Sequence, residues 1–364
     1  MLKHCRGPSD QVQLAKEKSG AANASVVVMD VKTGEVLAMA NDGTFNPAKP
    51  LDEQKDAQLG DLPVTSPFEP GSVNKLVAAA AAIEYGVTTP DEVHQVPGSI
   101  TMSDATVKDA WAHDVVPYTT TGIFGKSSNV GTLMLAEKVG EDRYADMLKR
   151  FGLGQSTDVG LPGESGGVVP ARTQWSGGTF ANLPIGQGLT MTLLQMTAMY
   201  QAIANDGVRI PPRIIKAVNG DGQPGVTEQP AGIRVVSPAA AKTVRDMFRA
   251  VIQSDPMGVQ NGTGSKAAVP GYQISGKTGT AQQVNPKCGC YSNEAYNITF
   301  AGIAPADNPR YVIGIMLDNP KRSSDGSGGQ SAAPLFQTIA SWMLQRERVP
   351  LSSGPTPPLV LQAG

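Results

Sequence analysis

Apolar residues recur along the chain with two different periods, and the period changes from strand-like to helix-like and back. Two β-branched runs around a polar turn, in ASVVVMDVKTGEVLAMAN, predict a β-hairpin near the start. Helical patterns fill the middle, including SVNKLVAAAAAIEYG, NVGTLMLAEKVG and TLLQMTAMYQAIANDG. Strand-like runs return in YQISGKTGTAQQV, YNITFAGIAP and RYVIGIMLDNP, and AAPLFQTIASWMLQRE predicts a last helix. The chain is therefore predicted to have an α/β fold, with one antiparallel sheet built from both ends, flanking helices and an inserted, mostly helical subdomain.

The same pattern divides the chain into three segments. Residues 1–20 predict a helical lead-in, with Ser9 as a possible cap and Gly20 as a stop. Residues 21–347 contain the periodic segments and are predicted to form one domain. Residues 348–364 include the Pro-rich stretch SSGPTPPLVLQAG and are expected to form a flexible tail.

Composition narrows the possible functions. Lys and Arg (30) nearly balance Asp and Glu (32), and no basic run is interleaved with aromatic residues, which argues against nucleic acid as a partner. The longest apolar run, Leu76 to Ile83, is too short to span a bilayer, and the N-terminus lacks a segment typical of a signal peptide. The chain as given is therefore expected to be soluble.

The three cysteines give no zinc-binding pattern, and neither a metal nor a cofactor is expected. Cys288 and Cys290 in the CGC segment fit a short disulfide, two free thiols or one half of a bridge to another cysteine such as Cys5. A structural role is favoured over a redox site, because no basic residue or His flanks the pair.

The segment PGSVNKL places Ser72 at the start of a predicted helix and Lys75 three residues later. Their side chains are then expected to share one helical face about one turn apart. A serine hydroxyl becomes a good nucleophile when a base takes its proton, and a lysine can be that base when burial or a nearby cation lowers its pKa. Because a Ser-x-x-Lys match is expected about once by chance in a chain of this length, the alternative of a helix-capping Ser72 and a solvated Lys75 stays open.

The segment GKSSNVG offers Ser127 and Asn129 just before another helical run. A serine can relay a proton, and the asparagine amide can both donate to and accept from a peptide-like substrate. Taken alone, the segment is better explained as a helix N-cap, since Ser and Asn are common at that position.

The letters KTG occur twice, and their surroundings differ. Lys32–Gly34 lies between two strand-like runs, where the glycine fits a hairpin turn. Lys277, Thr278 and Gly279 lie within one long strand-like run, and a glycine inside a strand often marks close approach of a ligand or backbone. Only the second copy follows Ser-x-x-Lys and Ser-x-Asn in chain order, so it is predicted to be the functional one.

Together, the three motifs resemble those of penicillin-binding proteins and related serine β-lactamases. Further stretches extend the resemblance to the transpeptidase domain of class B, division-type penicillin-binding proteins, with wording closest to actinobacterial members. It covers about residues 20 to 345, in the stretches SPFEPGSVNKLVAAAA, GKSSNVGTLML, FGLGQSTDVGLPGES, NLPIGQGLTMTLLQMTAMYQAIANDG, SGKTGTAQ and TFAGIAPADNPRYVIGIMLDNP. Several stretches in the same order are more specific than any single motif.

The resemblance implies a peptidoglycan D,D-transpeptidase with a serine β-lactamase/transpeptidase-like fold. Ser72 would attack the D-Ala-D-Ala carbonyl of a donor stem peptide, and an amine of a second stem peptide would resolve the acyl-enzyme. Lys75 would be the general base, Ser127 and Lys277 would relay the proton to the leaving amine, and the charge of Lys277 would help to keep Lys75 neutral. β-Lactam antibiotics would acylate Ser72 in place of the donor.

The resemblance also implies how the substrate is held. Asn129 would bind the peptide of the substrate, while Thr278 and Thr280 would bind its terminal carboxylate beside Gly279. The backbone N–H groups of Ser72 and Thr280 would form the oxyanion hole.

Full-length family members carry a membrane anchor and a pedestal domain before the catalytic domain, and the sequence as given is expected to contain neither. Residues 1–20 would then be a lead-in or a remnant of the pedestal. The resemblance implies a location at the outer face of the cell membrane, at the septum, with membrane proteins of the division machinery as partners.

Two other functions compete with this interpretation. In a β-lactamase or a D,D-carboxypeptidase, water resolves the acyl-enzyme, and Glu164 in LPGESGG lies in the broad region of a water-activating glutamate. We interpret Glu164 as structural, because it lies in a Gly- and Pro-rich loop. The second alternative is a penicillin-binding sensor that is acylated without turnover; the class B pattern over most of the chain argues against both.

Overall fold

The computed structural model describes residues 8–46, 48–55, 57–103, 105–217, 229–285, 287–321, 327–354 and 357–364. The helices in these ranges are α1 Pro8–Ser19, α2 Leu62–Thr65, α3 Lys75–Glu84, α4 Thr120–Gly125, α5 Asn129–Val139, α6 Glu141–Arg150, α7 Gly177–Asn182, α8 Leu193–Ala204, α9 Pro238–Met247 and α10 Ala332–Arg346. The strands are β1 Asn23–Asp30, β2 Val36–Asn41, β3 Val93–Val96, β4 Ser99–Met102, β5 Ala105–Lys108, β6 Val116–Thr119, β7 Val208–Arg209, β8 Ile233–Arg234, β9 Ser275–Asn285, β10 Cys290–Ala304 and β11 Tyr311–Asp318.

One five-stranded antiparallel sheet joins the two ends of the chain. Its order is β2-β1-β11-β10-β9, so the first two strands pair with the last three. The joining ladder runs from Asn23 opposite Asp318 to Asp30 opposite Tyr311. Helices α2 to α9 lie between these two groups of strands in the sequence. The predicted α/β fold, with a sheet from both ends and an inserted helical region, is confirmed.

Both faces of the sheet are buried, which explains the continuous apolar run of β1. Val27 and Met29 belong to the core shared with the inserted helices, whereas Val26 and Val28 belong to the core shared with α1 and α10. Successive strand residues point to opposite faces, so a strand covered on both sides needs apolar residues at consecutive positions. The sheet is thus the middle layer between two groups of helices.

Helices α3 and α8 form the centre of the inserted region. Residues Lys75 to Ala82 of α3 are all buried, as is the whole of α8. The small alanine side chains let neighbouring elements approach α3 closely, so this helix has no solvated face until its last turn. None of the described helices is long and apolar enough to cross a lipid bilayer.

The loop between β9 and β10 contains a disulfide between Cys288 and Cys290. Of the alternatives left open for the CGC segment, the structure therefore has the short disulfide. Cys5 lies outside the described residues.

The end of the chain differs from the flexible tail expected from its composition. Leu361 is fully buried, and its carbonyl accepts a hydrogen bond from the Thr119 backbone N–H at 3.0 Å. The side chain of Gln253 donates to Leu359 O and accepts from Leu359 N, and the Gln260 side chain accepts from Leu361 N. Two glutamine side chains therefore hold the backbone of residues 359–361 against the protein.

The docked tail also explains two glycines of α4. A Cβ atom on Gly122 would lie 1.8 Å from the carbonyl oxygen of Leu361, and one on Gly125 would lie 2.9 Å from its side chain. The tail therefore packs directly on the helix that precedes Ser127.

Replacing Leu361 by Ala is expected to lower the free energy of unfolding by about 2–5 kcal/mol, because a fully buried leucine is removed from a closed site. The matched control is Leu351→Ala, at a leucine that is 68% exposed, where a loss within about 0.5 kcal/mol is expected. Urea unfolding of the two variants and the parent measures both values. Equal losses in the two variants would contradict the docked tail.

Candidate active site

Ser72 lies on a short 3₁₀ helix, Gly71–Asn74, that leads directly into α3. The predicted single α-helix therefore begins with a tighter turn. In a 3₁₀ helix the side chains at positions i and i+3 eclipse each other, so Ser72 and Lys75 still share one face. The sequence places this turn by means of Gly71, whose φ of +59° is a conformation that favours glycine.

The Lys75 side chain is completely buried and points towards the segment before α5. Its Nζ donates to the backbone oxygen of Ser127 at 2.6 Å and to Asn129 Oδ1 at 2.7 Å, and it lies 3.3 Å from Ser127 Oγ. No hydrogen bond between Ser72 Oγ and Lys75 Nζ is present among the described residues. A neutral amine satisfies the first two acceptors with its two N–H groups and keeps a lone pair.

Lys277, from β9, reaches the same hydroxyl from the opposite side. Its Nζ donates to Ser127 Oγ at 2.8 Å and to Thr278 O at 3.1 Å. The side chain of Lys277 is also completely buried. The hydroxyl of Ser127 thus lies within hydrogen-bond distance of two buried amines, an arrangement in which it can pass a proton between them.

Burial lowers the pKa of both lysines, because a charged ammonium group is poorly solvated inside the protein. Burial lowers the pKa of Lys75 to about 7, and the negative charge of Asp109 opposes this change. Burial, followed by the positive charge of Lys75, lowers the pKa of Lys277 well below its ordinary value. Burial, rather than the charge of Lys277, is therefore the main cause of the low pKa of Lys75.

The second KTG copy lies on β9, an edge strand of the sheet. The Thr278 hydroxyl is 2.7 Å from that of Thr263, and Thr280 is exposed to the cleft. A Cβ atom on Gly279 would lie 2.0 Å from Thr299 Oγ1 and 2.9 Å from Pro70 O. The glycine is therefore required by packing against the turn of Ser72, while the substrate contact expected at this position stays a prediction.

The first KTG copy is a hairpin turn, as predicted. Asp30 Oδ1 accepts hydrogen bonds from the backbone N–H groups of Lys32 and Thr33, and Gly34 has a φ of +68°. The Lys32 side chain is mostly exposed and binds Asn205 Oδ1 at 3.0 Å. The first copy therefore takes no part in the cleft.

The motif residues meet in one cleft of about 460 Å³. Ser72, Ser127, Asn129, Thr278 and Thr280 all line it. Its other walls are formed by Gly71, Ala110, Trp111, Lys126, Ile185, Gln187, Thr263, Ser327, Gly328, Gly329 and Gln330. The candidate nucleophile, the candidate relay and the candidate carboxylate-binding residues thus share one space.

The segment before α5 divides its tasks between neighbouring residues. The N-cap is Ser128, whose Oγ accepts from Gly131 N at 2.9 Å. Ser127 has a φ of +64°, which is uncommon for a residue other than glycine. Ser128 is therefore the N-cap of α5. The hydroxyl of Ser127 is free of this role and lies near the Nζ atoms of Lys75 and Lys277.

Comparison with known proteins places the chain in a family. Residues 24–341 match the model of the penicillin-binding protein transpeptidase domain. The chain belongs to that family.

Several relatives are similar over nearly the whole chain. The chain is 70% identical over 354 residues to the penicillin-binding protein PbpB of Mycobacterium tuberculosis, covering 97% of this chain and 52% of that protein. It is 35% identical over 326 residues to the peptidoglycan D,D-transpeptidase FtsI of Escherichia coli, covering 89% of this chain and 52% of FtsI. The chain spans about half the length of the curated relatives it matches.

A solved structure agrees with the fold in detail. The crystal structure of penicillin-binding protein 3 of Mycobacterium tuberculosis complexed with ampicillin superimposes with a TM-score of 0.95, at 69% identity. The alignment covers 98% of this chain and 79% of that one. The transpeptidase-like fold expected from the sequence is confirmed.

Glu164 has a structural position in this transpeptidase domain. Its carboxylate accepts hydrogen bonds from Ser156 Oγ at 2.8 Å and from the backbone N–H of Thr157 at 2.7 Å. It ties together its own loop and is not among the described residues that line the cleft. This geometry agrees with the structural interpretation of Glu164.

One buried charged residue near the site, Asp109, belongs to none of the three motifs. Asp109 is buried behind Asn129 and hydrogen-bonds to the start of α5. The signal available in the sequence was a single acidic residue in VKDAWAH, at the end of a short strand-like segment. Sequence reasoning had no means of distinguishing it from a surface carboxylate.

Replacing Gly279 by Ala is expected to lower the free energy of unfolding by about 1–3 kcal/mol, because the new Cβ overlaps Thr299 and the backbone before Ser72. The control is Gly60→Ala, where the nearest atom would be 3.4 Å from the new Cβ and the change is expected to be small or stabilising. Thermal unfolding of the two variants measures the difference. An unchanged stability of Gly279→Ala would contradict the close approach of β9 to the Ser72 turn.

Proposed function

We propose that this chain carries the catalytic activity of a peptidoglycan D,D-transpeptidase, which cross-links stem peptides through a serine acyl-enzyme. The observation that carries the proposal is the position of the Ser127 hydroxyl, 2.8 Å from Lys277 Nζ and 3.3 Å from Lys75 Nζ, in the same cleft as Ser72. This arrangement provides a nucleophile, a base and a proton relay without a metal.

In the first half-reaction, Ser72 Oγ attacks the carbonyl carbon of the penultimate D-Ala of the donor stem peptide. Lys75 takes the hydroxyl proton, and the oxyanion is stabilised by the backbone N–H groups of Ser72 and Thr280. The C–N bond then breaks. Ser127 and Lys277 relay a proton to the leaving nitrogen, and the terminal D-Ala departs as a free amino acid.

In the second half-reaction, an amine of a neighbouring stem peptide attacks the acyl carbon. Its proton is taken by the same base, the bond to Ser72 Oγ breaks, and the serine regains its proton. The new amide bond is the cross-link. Because Lys75 is hydrogen-bonded to Ser127 and Asn129 in this structure, it must turn towards Ser72 when the substrate is bound; such bonds often tighten only in the substrate complex.

The cleft also offers groups for holding the donor peptide. Asn129 supplies an amide for the peptide backbone, and the hydroxyls of Thr278 and Thr280 face the position of the terminal carboxylate. Gly279 contributes by bringing β9 close to the Ser72 turn.

A β-lactam presents the amide of its ring to Ser72 in place of the D-Ala-D-Ala peptide bond of the donor. Attack by Ser72 opens the ring and leaves the drug bound to the serine as an acyl-enzyme. The cell-biological part of the proposal is action at the septum, on the outer face of the cell membrane, with membrane proteins of the division machinery. It is supported by the resemblance to division-type members and by the identity to PbpB.

Intact mass spectrometry after addition of a penicillin tests the proposed chemistry. Opening of the lactam ring keeps all atoms of the drug on Ser72, so the protein is expected to gain the full mass of the penicillin and to hold it for hours. Ser72→Ala is expected to stay unmodified. Rapid return to the original mass would favour a β-lactamase, and no adduct on the parent protein would contradict the proposal; cross-linking itself is then tested with stem-peptide substrates.

The two KTG copies provide a matched pair for the same assay. Lys277→Ala is expected to slow acylation at least about 100-fold, the usual scale of a lost proton-transfer group. Lys32→Ala removes the equivalent lysine from the hairpin turn and is expected to stay within about twofold of the parent. Equal rates in the two variants would exclude a role for Lys277 in proton transfer.

Acylation is also expected to depend on pH through Lys75. The base acts in its neutral form, and the pKa of Lys75 is lowered to about 7, so the rate should be high above this pH. Below it, protonation of Lys75 should reduce the rate by about tenfold per pH unit. Stopped-flow acylation between pH 5.5 and 9, with circular dichroism as a control for folding, measures the profile; a flat profile would contradict Lys75 as the base.

A further inference from the structure

A buried carboxylate lies directly behind the residues that surround Lys75. Asp109 follows β5, and its side chain has no exposed surface. Its Oδ1 accepts from the backbone N–H groups of Asn129 at 2.5 Å and Val130 at 3.0 Å. Its Oδ2 accepts from Ser128 Oγ at 2.8 Å and lies 2.9 Å from His113 Nε2. Three of these contacts bring a donor group to the carboxylate oxygens, and the direction of the fourth, with His113 Nε2, depends on which ring nitrogen carries the proton.

These contacts fix three consecutive residues at the start of α5. Free backbone N–H groups and the positive end of the helix dipole both favour an anion at this position. The neighbouring residue adds a further contact, because Lys108 O accepts from Asn129 Nδ2 at 2.9 Å. With Lys75 donating to its Oδ1, the amide of Asn129 is oriented from both ends.

The anchored start of α5 adjoins Ser127, whose φ of +64° is uncommon for a residue other than glycine. Its positive φ is held on one side by the end of α4, where Ser127 N donates to Phe124 O and Ser128 N donates to Ile123 O. On the other side, Ser128 leads directly into α5, and Asp109 accepts hydrogen bonds from Ser128 Oγ and from the first backbone N–H group of the helix, Asn129 N. The contacts of Asp109 with Ser128 Oγ and Asn129 N add to these bonds, so they help to hold the turn in which Ser127 keeps an unfavourable backbone conformation.

Asp109 also acts on Lys75 by its charge. The carboxylate and the Nζ of Lys75 both contact Asn129, at its backbone N–H and its Oδ1 respectively. The negative charge of Asp109 raises the pKa of Lys75 against the effect of burial. The other charged or titratable groups around this centre include Lys277 from β9, Lys126 in the cleft and His113 beside Asp109. They also include Tyr118 from β6, whose ring packs edge-on against His113 and whose pKa is raised by burial and by the charge of Asp109.

We propose that Asp109 is a positioning residue of the acyl-transfer reaction, which anchors the Ser127–Asn129 turn between the two lysines and supplies a fixed negative charge to Lys75. Asp109 touches neither the nucleophile nor the cleft, so it acts through Asn129 and the turn. The inference rests on the proposed function, because its effect is defined by the acylation of Ser72.

The test compares Asp109→Asn with Asp114→Asn, the same substitution at an exposed position five residues away. The rate of acylation by a penicillin is measured from pH 5.5 to 9. In Asp109→Asn, an N–H₂ group replaces one acceptor oxygen, and the negative charge is lost. We expect the rate at pH 8 to fall about 10- to 100-fold through misplacement of the turn. The midpoint of the acidic limb should also move to lower pH, because Lys75 loses a neighbouring anion. Asp114→Asn should match the parent in both.

The pH midpoint separates positioning from general structural support. A slower rate with an unmoved midpoint would overturn the proposal, since a residue that only supports the fold does not change the charge on Lys75. A rate and a midpoint equal to those of the parent would overturn it as well. His113 is a second titratable group in contact with Asp109, so the pH profile is repeated with His113→Gln added to the parent and to Asp109→Asn. The difference in midpoint between these two variants should persist. If it disappears, the shift is due to His113 and the proposal is overturned.

Two further results keep the test decisive. If Asp109→Asn does not fold, Ser128→Ala replaces it, because this variant removes one of the four contacts of Asp109 and leaves its charge. We then expect slower acylation with an unchanged midpoint. A Ser128→Ala variant that is acylated as fast as the parent would overturn the anchoring role. Absence of acylation in the parent protein would contradict the proposed function, whereas normal acylation of the parent together with an unaffected Asp109→Asn would contradict only the assignment of Asp109.

Discussion

The candidate active site depends on the burial of two amines beside one hydroxyl. Lys75 and Lys277 are both completely buried and meet at Ser127 Oγ, where two ammonium groups would be poorly solvated and would repel each other. This arrangement works against stability. Unfolded lysine binds a proton up to about pH 10.4, whereas folded Lys75 releases it near pH 7. The free energy of unfolding therefore rises with pH between about 7 and about 10.4, because only the unfolded chain holds the proton in this range. Below about pH 7, Lys75 is protonated while buried and destabilises the fold by the full amount. The alanine-rich α3 and the two cores around the sheet have to compensate for it.

Placing these lysines requires unusually close backbone approach. Lys277 comes from the last part of the chain and Lys75 from the first third, so the strand and the helix must meet directly. Gly279 allows β9 to lie against Pro70, and Gly71 allows its turn to lie against Thr280 O. Gly186 makes the same approach to the other side of the turn, since a Cβ there would lie 2.0 Å from Gly71 O. Glycines at these three positions remove the side chains that would otherwise separate the nucleophile from the strand.

The sequence predicted the sheet and the order of its parts because period and chain order are local properties. The same information distinguished Lys32, between two short runs, from Lys277 within one long run. It could not reveal Asp109, since a single acidic letter does not show whether it is buried or which donors face it. Composition also predicted a flexible C-terminal segment, because a Pro-rich stretch is flexible when nothing binds it. In the folded protein, the side chains of Gln253 and Gln260, which are distant in sequence, bind the backbone of this segment. Such contacts depend on the finished fold.

The position of one carboxylate makes the two lysines unequal. Burial acts on both, but only for Lys75 is a nearby negative charge among the causes of its pKa, while the charge of Lys75 further lowers the pKa of Lys277. A general base needs a pKa close to the working pH, because a lower value makes it too weak and a higher value leaves it protonated. The pKa of Lys75, at about 7, meets this requirement, whereas the pKa of Lys277 is lowered by burial with no nearby negative charge to oppose the change. In the proposed mechanism, the carboxylate of Asp109 therefore distinguishes Lys75, as the base, from Lys277, as the relay partner.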